Sequence, residues 1–583
     1  MGSATEAYLW IWSLSLTLPA WNQLFLGDGV GGLDERPLIW WDYAVLFPMV
    51  AVLLVLLLKR KENLYIAFAV MAHIVDLGIR WHRLPHVWDH EQWGMQVELA
   101  FIMIYGRSLL GTTKITDPED LFVQTFRRQF AMFYAAATFW KLNTSFMNTA
   151  TSCGPVLILE LAGTYLPLLP SEIVKILAEL SPHITLLTEG LLAVLMFLSA
   201  ELPRISAFRH AAVLAGAGFH LSIFLLPVNG AGGFSMDCVR HFVLFFESYE
   251  ISWVKPCSKQ SLLFCGTLTA SLIRARFLAT GSGFDFGFFA MCILISWYIL
   301  MVIDPSSSKV RGQGASGKEV TQGSPTPRWI PFLVLFVSFG YAFLGPILGI
   351  QHMGAPTMYS NMRYYYGGNH LLVPTSVLPP EVIYGGGLAQ VVSSTSSSLN
   401  QRLAYIRNKD VFPSRPLAYM DDALSNRDVY QLFPLCVSNP HSRAVLQDVY
   451  NSSNPDGSTS RYSFILPVSE IRKALSEASM TEKSYSIVVT DATTGEMCQE
   501  DPSLLLSIDS HRGCHIQLSD GSTSPASCTE TKFGKLLLET EEPQVYGKNA
   551  WQSLLLSMAK GVRHKLLTPY PQLVGWPEEP CMS

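Results

Sequence analysis

Lys141 closes the apolar run 129–140 (QFAMFYAAATFW), and no acidic residue lies within four positions of it on either side. An amine kept from water and from any counter-charge favours its neutral form, which can serve as a base or a nucleophile. The competing reading is a lysine at a helix end whose long stem carries the ammonium out to the lipid headgroups. His220, inside GAGFHLS (216–222), is the second group able to move a proton, and its own alternative is an imidazole bonded to a backbone carbonyl. Asn143 and Glu189 are candidates for holding a polar substrate, although Glu189 and Glu160 could instead pair with Arg or Lys of neighbouring helices. His73 and Asp76 stand one helical turn apart, where they could hydrogen-bond to each other, and Glu98 adds another ionisable group at membrane depth. Such a group costs roughly 2.5–3.5 kcal/mol on insertion scales, so each needs a partner, a cavity or a task.

Other chemistries find little footing. His82, His86 and His90 recur every four residues, interleaved with Trp81, Trp88 and Trp93, but Pro85 breaks the helix that would align them. We read them as an interfacial aromatic belt and expect no metal. There is no Gly-rich phosphate loop before a helix, no GxSxG elbow, no HExxH and no CxxC.

The elements that must position these residues follow from composition. The chain has 583 residues, 49% hydrophobic and 15% charged, with mean hydropathy +0.26. Soluble domains average about 25% charged residues, so the class is membrane protein. A net charge of −5 and a pI near 6.3 argue against nucleic-acid binding. Apolar runs long enough to cross a bilayer lie near 39–58, 64–80, 94–111, 126–142, 154–170, 184–201, 209–227, 260–279, 284–303 and 329–350. The stretch 7–26 either spans or lies in the interface, and 240–254 reads as a short re-entrant or interfacial helix, which gives eight to eleven spans. The expected fold is therefore a multi-pass α-helical membrane domain over 1–303, a polar Gly/Ser-rich loop over 304–328 and a last transmembrane helix over 329–350. A soluble, strand-rich α+β domain follows over 351–583. In it, 369–374, 382–392, 484–490, 503–508 and 533–539 are strand-like, and 467–478 has helical spacing.

Lys59 to Lys61 and Lys309 to Lys318 flank spans and should be cytoplasmic, which puts the C-terminal domain on the lumenal or exterior face. The sequon at Asn451 fits that side, and Cys436, Cys498, Cys514 and Cys528 could pair in an oxidising compartment. Arg80, His82, Arg83, Arg107, Arg127 and Arg128 blur the charge asymmetry. The start MGSATEAYLW lacks a basic n-region and a cleavage site, so the first helices themselves are expected to target the chain, to the endoplasmic reticulum rather than the plasma membrane.

Residues 139–153 (FWKLNTSFMNTATSC) resemble the lysine-containing motif of the vitamin K-dependent gamma-carboxylase and horizontally transferred transmembrane (HTTM) domain family, through Trp140, Lys141, Leu142, Asn143, Phe146, Ser152 and Cys153. Three further stretches are similar in the expected order: the glutamate-bearing 187–199 (LTEGLLAVLMFLS), 218–235 (GFHLSIFLLPVNGAGGFS), and 357–370 (TMYSNMRYYYGGNH) after the last span. The resemblance implies a quinone-dependent carboxylase or oxygenase in which Lys141 is the base, used with reduced vitamin K or a related quinone. It also implies a protein or peptide substrate in the lumen. Where the animal enzyme has Asp-Ala-Asp-Trp after Lys-Leu, this chain has Asn143-Thr144-Ser145-Phe146. Two other classes compete: a non-catalytic membrane protein whose lumenal domain binds a partner, and a transporter using the intramembrane carboxylates.

Overall fold

The computed structural model describes residues 4–14, 50–54, 62–83, 89–111, 117–147, 152, 154–155, 158, 161–162, 165–166, 168–203, 205–225, 229–247, 250–251, 259–280, 286–303, 329–347, 356, 360, 370–373, 387–396, 464–491, 505–510, 513–517, 523–527 and 531–538. The described chain is mostly helical, with one antiparallel sheet toward the C-terminus. Among these residues, three helices are long and apolar enough to cross a bilayer: Asn63–Trp81, Glu172–Glu201 and Trp329–Ile347. The expected span 39–58, the lysine clusters at 59–61 and 309–318, Asn451, Glu160 and Cys153 lie outside the described residues, as does most of 154–170.

The helices relevant to the site are α1 (Glu62–Arg83), α2 (Asp89–Phe101), α3 (Pro118–Trp140), α4 (Ser171–Glu201), α5 (Ser206–Phe224) and α6 (Asn229–His241). Then come α7 (Lys259–Thr280), α8 (Phe286–Ile303) and α9 (Trp329–Phe339), the last continued by a π turn and a further helical turn to Ile347. Helix α3 starts before the apolar run because Asp117 caps it: its carboxylate accepts from the Asp120 amide at 2.9 Å, and Pro118 and the acidic Glu119 and Asp120 fill the first turn. Helix α4 begins after Pro170 and runs through Pro182. At about 1.5 Å per residue, such a helix exceeds the roughly 30 Å hydrocarbon core. Helices α3 and α4 pack antiparallel, with Arg128 on Glu201 at one end and Lys141 on Glu189 toward the other.

Residues 4–14 are helical and sink into the bundle, where Tyr8 and Trp12 are fully buried against His73. The segment after α6 makes a 3-10 turn, Phe242–Phe245, whose four side chains are all fully buried. Gly216 on α5 permits that packing, since a Cβ there would lie 2.3 Å from the Phe242 ring. Two of the arginines that blurred the charge asymmetry are internal. Arg80 bonds Asp76, and Arg127 donates from Nε to the Leu244 carbonyl at 3.0 Å. Counting such residues as loop charges weakens any topology argument, because the rule concerns loops.

The sheet has the order β2-β1-β3-β4-β5-β6, all neighbours antiparallel: β1 (Leu388–Ser394), β2 (Phe464–Pro467), β3 (Ser486–Asp491), β4 (Leu505–Asp509), β5 (Gly513–Gln517) and β6 (Thr523–Ser527). Val468–Thr481 forms α10, and its Val468, Ile471 and Ala474 pack on Val391, Ile487, Val489, Leu506 and Ile508. Gly513 opens β5 at φ +75°, a left-handed conformation that closes the β4–β5 hairpin and suits glycine. Pro525 sits in β6, an edge strand, the position in a sheet where proline is tolerated. The run 533–539, expected as a strand, is instead helix α11 (Lys532–Leu538). The Thr531 hydroxyl accepts from the Gly534 amide and starts the turn, and Leu537 completes the core beside α10. Cys514 on β5 is in a disulfide, whereas Cys238 and Cys292 in the helical part are buried thiols.

Candidate functional site around Lys141

Lys141 is the C-cap of α3, its amide donating to the Thr138 carbonyl at 3.2 Å. Its side chain turns into the bundle and is 6% exposed, so it does not reach outward to headgroups. The amine meets Glu189 of α4, 3.0 Å from Oε1 and 2.9 Å from Oε2. The acid that is absent from the local sequence is supplied by a tertiary neighbour. Together the two groups enter the interior at zero net charge, which removes most of the insertion cost of either alone. The Phe146 ring lies 5.9 Å from the amine.

The stretch just past Lys141 is pinned from a distance. Asn143 Nδ2 donates to the carbonyls of Trp140 (2.8 Å) and Ser360 (2.6 Å), while its Oδ1 accepts from the Phe146 amide at 2.7 Å. These bonds need an amide at this position: a carboxylate could accept from Phe146 but would face two carbonyl oxygens with nothing to donate. Asn143 therefore shapes the turn after α3. His370 adds a bridge to the same turn, with the Leu371 amide donating to the Leu142 carbonyl at 2.9 Å and His370 Nε2 donating to the Phe139 carbonyl at 2.9 Å. Its Nδ1 accepts from the amides of Leu372 and Val373, both at 3.1 Å, which fixes the neutral ring with hydrogen on Nε2. Burial lowers the His370 pKa below the usual histidine value, and the bond to Phe139 offsets this in part. Trp140 completes the clamp by donating from Nε1 to the Ala342 carbonyl of the last helix at 2.7 Å.

His220 stands elsewhere. It is fully buried on α5, bonded to the Tyr134 hydroxyl and 3.4 Å from the Ser235 hydroxyl, with Phe219, Phe234 and Phe242 around its ring. Tyr134 precedes Lys141 by two turns of α3, about 10 Å, so the expected pairing of Lys141 with His220 takes no direct contact among the described residues. Neither does the expected His73–Asp76 bond. His73 packs between Trp12 and Phe101, and Asp76 pairs with Arg80. Of the three His in the Trp-rich stretch, His90 is buried and 3.7 Å from Asp237.

Sequence reasoning gave no role to Tyr134, and it quoted the stretch that holds Ser360 and His370 without placing either beside Lys141. The first lies on the lysine's own helix, seven residues earlier, a spacing that flags a shared face. For Ser360 the contact runs through its backbone carbonyl, for which no residue type is a signal. No family model, no curated protein and no solved structure matches this chain.

Proposed function

We propose that this is a multi-pass membrane protein with a carboxylase-like centre at Lys141 and Glu189, acting on a quinone or hydroquinone and a carboxylic substrate. The observation that carries this is the buried amine–carboxylate pair, in which Glu189 can take the Lys141 proton and leave a neutral amine able to remove a proton from an acidic C–H. The residues that would hold a hydroquinone are Glu189, whose Oε2 also lies 2.9 Å from the Lys141 amine and could accept from a phenolic hydroxyl, and Phe146, whose ring offers an apolar flank. Bound there, a hydroquinone would supply reducing equivalents to oxygen. The chain's own part is to orient that hydroxyl through Glu189, keep water from the amine by burial, and hold the Lys141 backbone in place through Asn143, Trp140 and His370.

The C-terminal sheet domain is proposed to be lumenal, in the endoplasmic reticulum, and to meet a protein or peptide there. The Cys514 disulfide supports this, since such bonds persist in oxidising compartments. Glycosidase should shift the band of protein from a glycosylating host, and Asn451→Gln should abolish the shift.

A second reading, a non-catalytic membrane protein, is favoured by one pattern: the buried cations of the bundle stand in ion pairs, as with Arg80 and Asp76, Arg209 and Glu250, and Arg240 and Asp237. Quinone binding to purified protein in nanodiscs separates the two. Hydroquinone should bind the wild type and bind at least tenfold more weakly to Glu189→Gln and Lys141→Ala. Equal affinity in all three, or no binding at all, rejects the centre.

A further inference from the structure

A second buried polar cluster, away from Lys141, lies between residues 4–14 and helices α1, α2 and α6. Arg80 donates from Nε to Asp76 Oδ2 at 3.1 Å, and its Nη2 lies 3.0 Å from the same oxygen and 3.6 Å from Glu98 Oε1. Its Nη1 donates to the Glu91 carbonyl at 3.3 Å. Arg240 is engaged with Asp237 at 2.9 Å, and His90 approaches the other oxygen of Asp237 at 3.7 Å. Two permanent cations thus face the carboxyl groups of Asp76, Glu98 and Asp237, with that of the half-buried Glu91 acting on Arg80 as well. The remaining titratable groups facing the cluster are Tyr8, His73 and His241; the last is bonded through Nδ1 to the Asp237 carbonyl.

Glu98 is the surplus acid. It is 1% exposed, and neither of its oxygens receives a hydrogen bond from any N–H or O–H group of the described protein. The nearby guanidinium is already committed to Asp76. One guanidinium nitrogen, Arg80 Nη2, stands 3.0 Å from Asp76 Oδ2 and 3.6 Å from Glu98 Oε1, which sets the two carboxyl groups side by side and within hydrogen-bonding reach, a contact that two carboxylates cannot make unless one carries a hydrogen. Like charges at that range in a medium of low dielectric do not both ionise. His73 offers no alternative counter-charge, because both of its nitrogens are unbonded and its ring lies against Trp12 and Phe101, at 3.9 and 4.5 Å between centroids.

We propose that Glu98 and Asp76 form a buried proton-binding site, in which one proton is shared between the two carboxyl groups beneath the Arg80 guanidinium. The ligand is a proton and not a metal cation. Glu98 is the acid and donates to Asp76, whose other interactions with Arg80 mark it as the charged partner. Nothing in this site depends on the Lys141 centre.

Infrared spectroscopy of the full chain in nanodiscs tests it through the C=O stretch of a protonated carboxyl group. The wild type at neutral pH should show that band, unchanged when choline chloride replaces sodium or potassium chloride. Glu98→Gln, which keeps the shape and can still donate to Asp76, should lose it. Asp76→Asn should lose it as well, because Arg80 then serves Glu98 alone and Glu98 ionises. Glutamate labelled with ¹³C at the side-chain carboxyl should shift the band in the unaltered protein, which assigns the proton to a glutamate and not to an aspartate. Absence of the band in the wild type puts the missing proton on a histidine and overturns the proposal. So does a wild-type minus Glu98→Gln difference spectrum with no such band, in which any carboxylic acid at Glu189 cancels, or a band that fails to shift with labelled glutamate or disappears on addition of sodium.

Discussion

Removing one member of the Lys141–Glu189 pair should be far more damaging than removing both. Lys141→Met strands the Glu189 carboxylate in an interior where the side chains of the pair are 6% and 8% exposed, and Glu189→Leu strands the ammonium. Breaking a buried pair this way typically costs about 3–5 kcal/mol, whereas replacing both members by apolar groups of similar volume is often near neutral. Glu189 can take up a proton when left alone, so the lower end applies to Lys141→Met, about 3 kcal/mol or two powers of ten in the folding equilibrium. The Phe146 ring, 5.9 Å from the amine, stays in place and packs on either apolar replacement. Reversible unfolding of the helical domain in mixed micelles, run as a double-mutant cycle, should then give a coupling of roughly 3 kcal/mol or more, with the double variant closer to wild type than either single one. Additive single effects, or a coupling below about 0.5 kcal/mol, would show that the pair is solvated in the bilayer setting and refute the reasoning.

Three further outcomes follow from the same contacts. Asn143→Asp removes the two bonds that the Asn143 amide donates to the Trp140 and Ser360 carbonyls, at roughly 1 kcal/mol or more each; denaturant unfolding should show a loss of about 2 kcal/mol, and an unchanged midpoint contradicts the bonding described. Gly216→Ala places a Cβ 2.3 Å from the buried Phe242 ring and should cost about 1–3 kcal/mol, while Gly218→Ala, with nothing within 4 Å, serves as the control in the same melt. For His370 the folded pKa lies below the unfolded value near 6.5, so the unfolded chain binds the proton first: stability is full above about pH 6.5 and falls as pH drops below it. Amide exchange at Leu372 and Val373, whose N–H groups need an unprotonated Nδ1, should accelerate over that window, and a flat profile rules out the assigned tautomer.

Hydropathy alone located much of the helical architecture, because a backbone in lipid must satisfy its own hydrogen bonds and the apolar runs are long. The runs near 64–80, 184–201, 260–279, 284–303 and 329–350 all fall on observed helices, and the amphipathic 467–478 became α10. Ends were less legible. Helix α3 begins at Pro118 because of a cap, which the apolar count does not register. The strand reading of 533–539 failed because its leucines suit either period and a threonine cap decided the matter. The sequence singled out Lys141, Glu189, Asn143 and His220 as residues that needed explaining. It could not show that Glu189 is the partner of Lys141, that Asn143 braces a turn through Ser360, or that His220 belongs to Tyr134 and not to Lys141. Periodicity places a side chain on a face of its own helix, but which faces meet is decided by how helices pack across the bundle. The Asp76–Arg80–Glu98 cluster makes the same point: Asp76 and Arg80 are a turn apart and readable from spacing, while the third member, and with it the surplus of one carboxyl group, exists only in the folded chain.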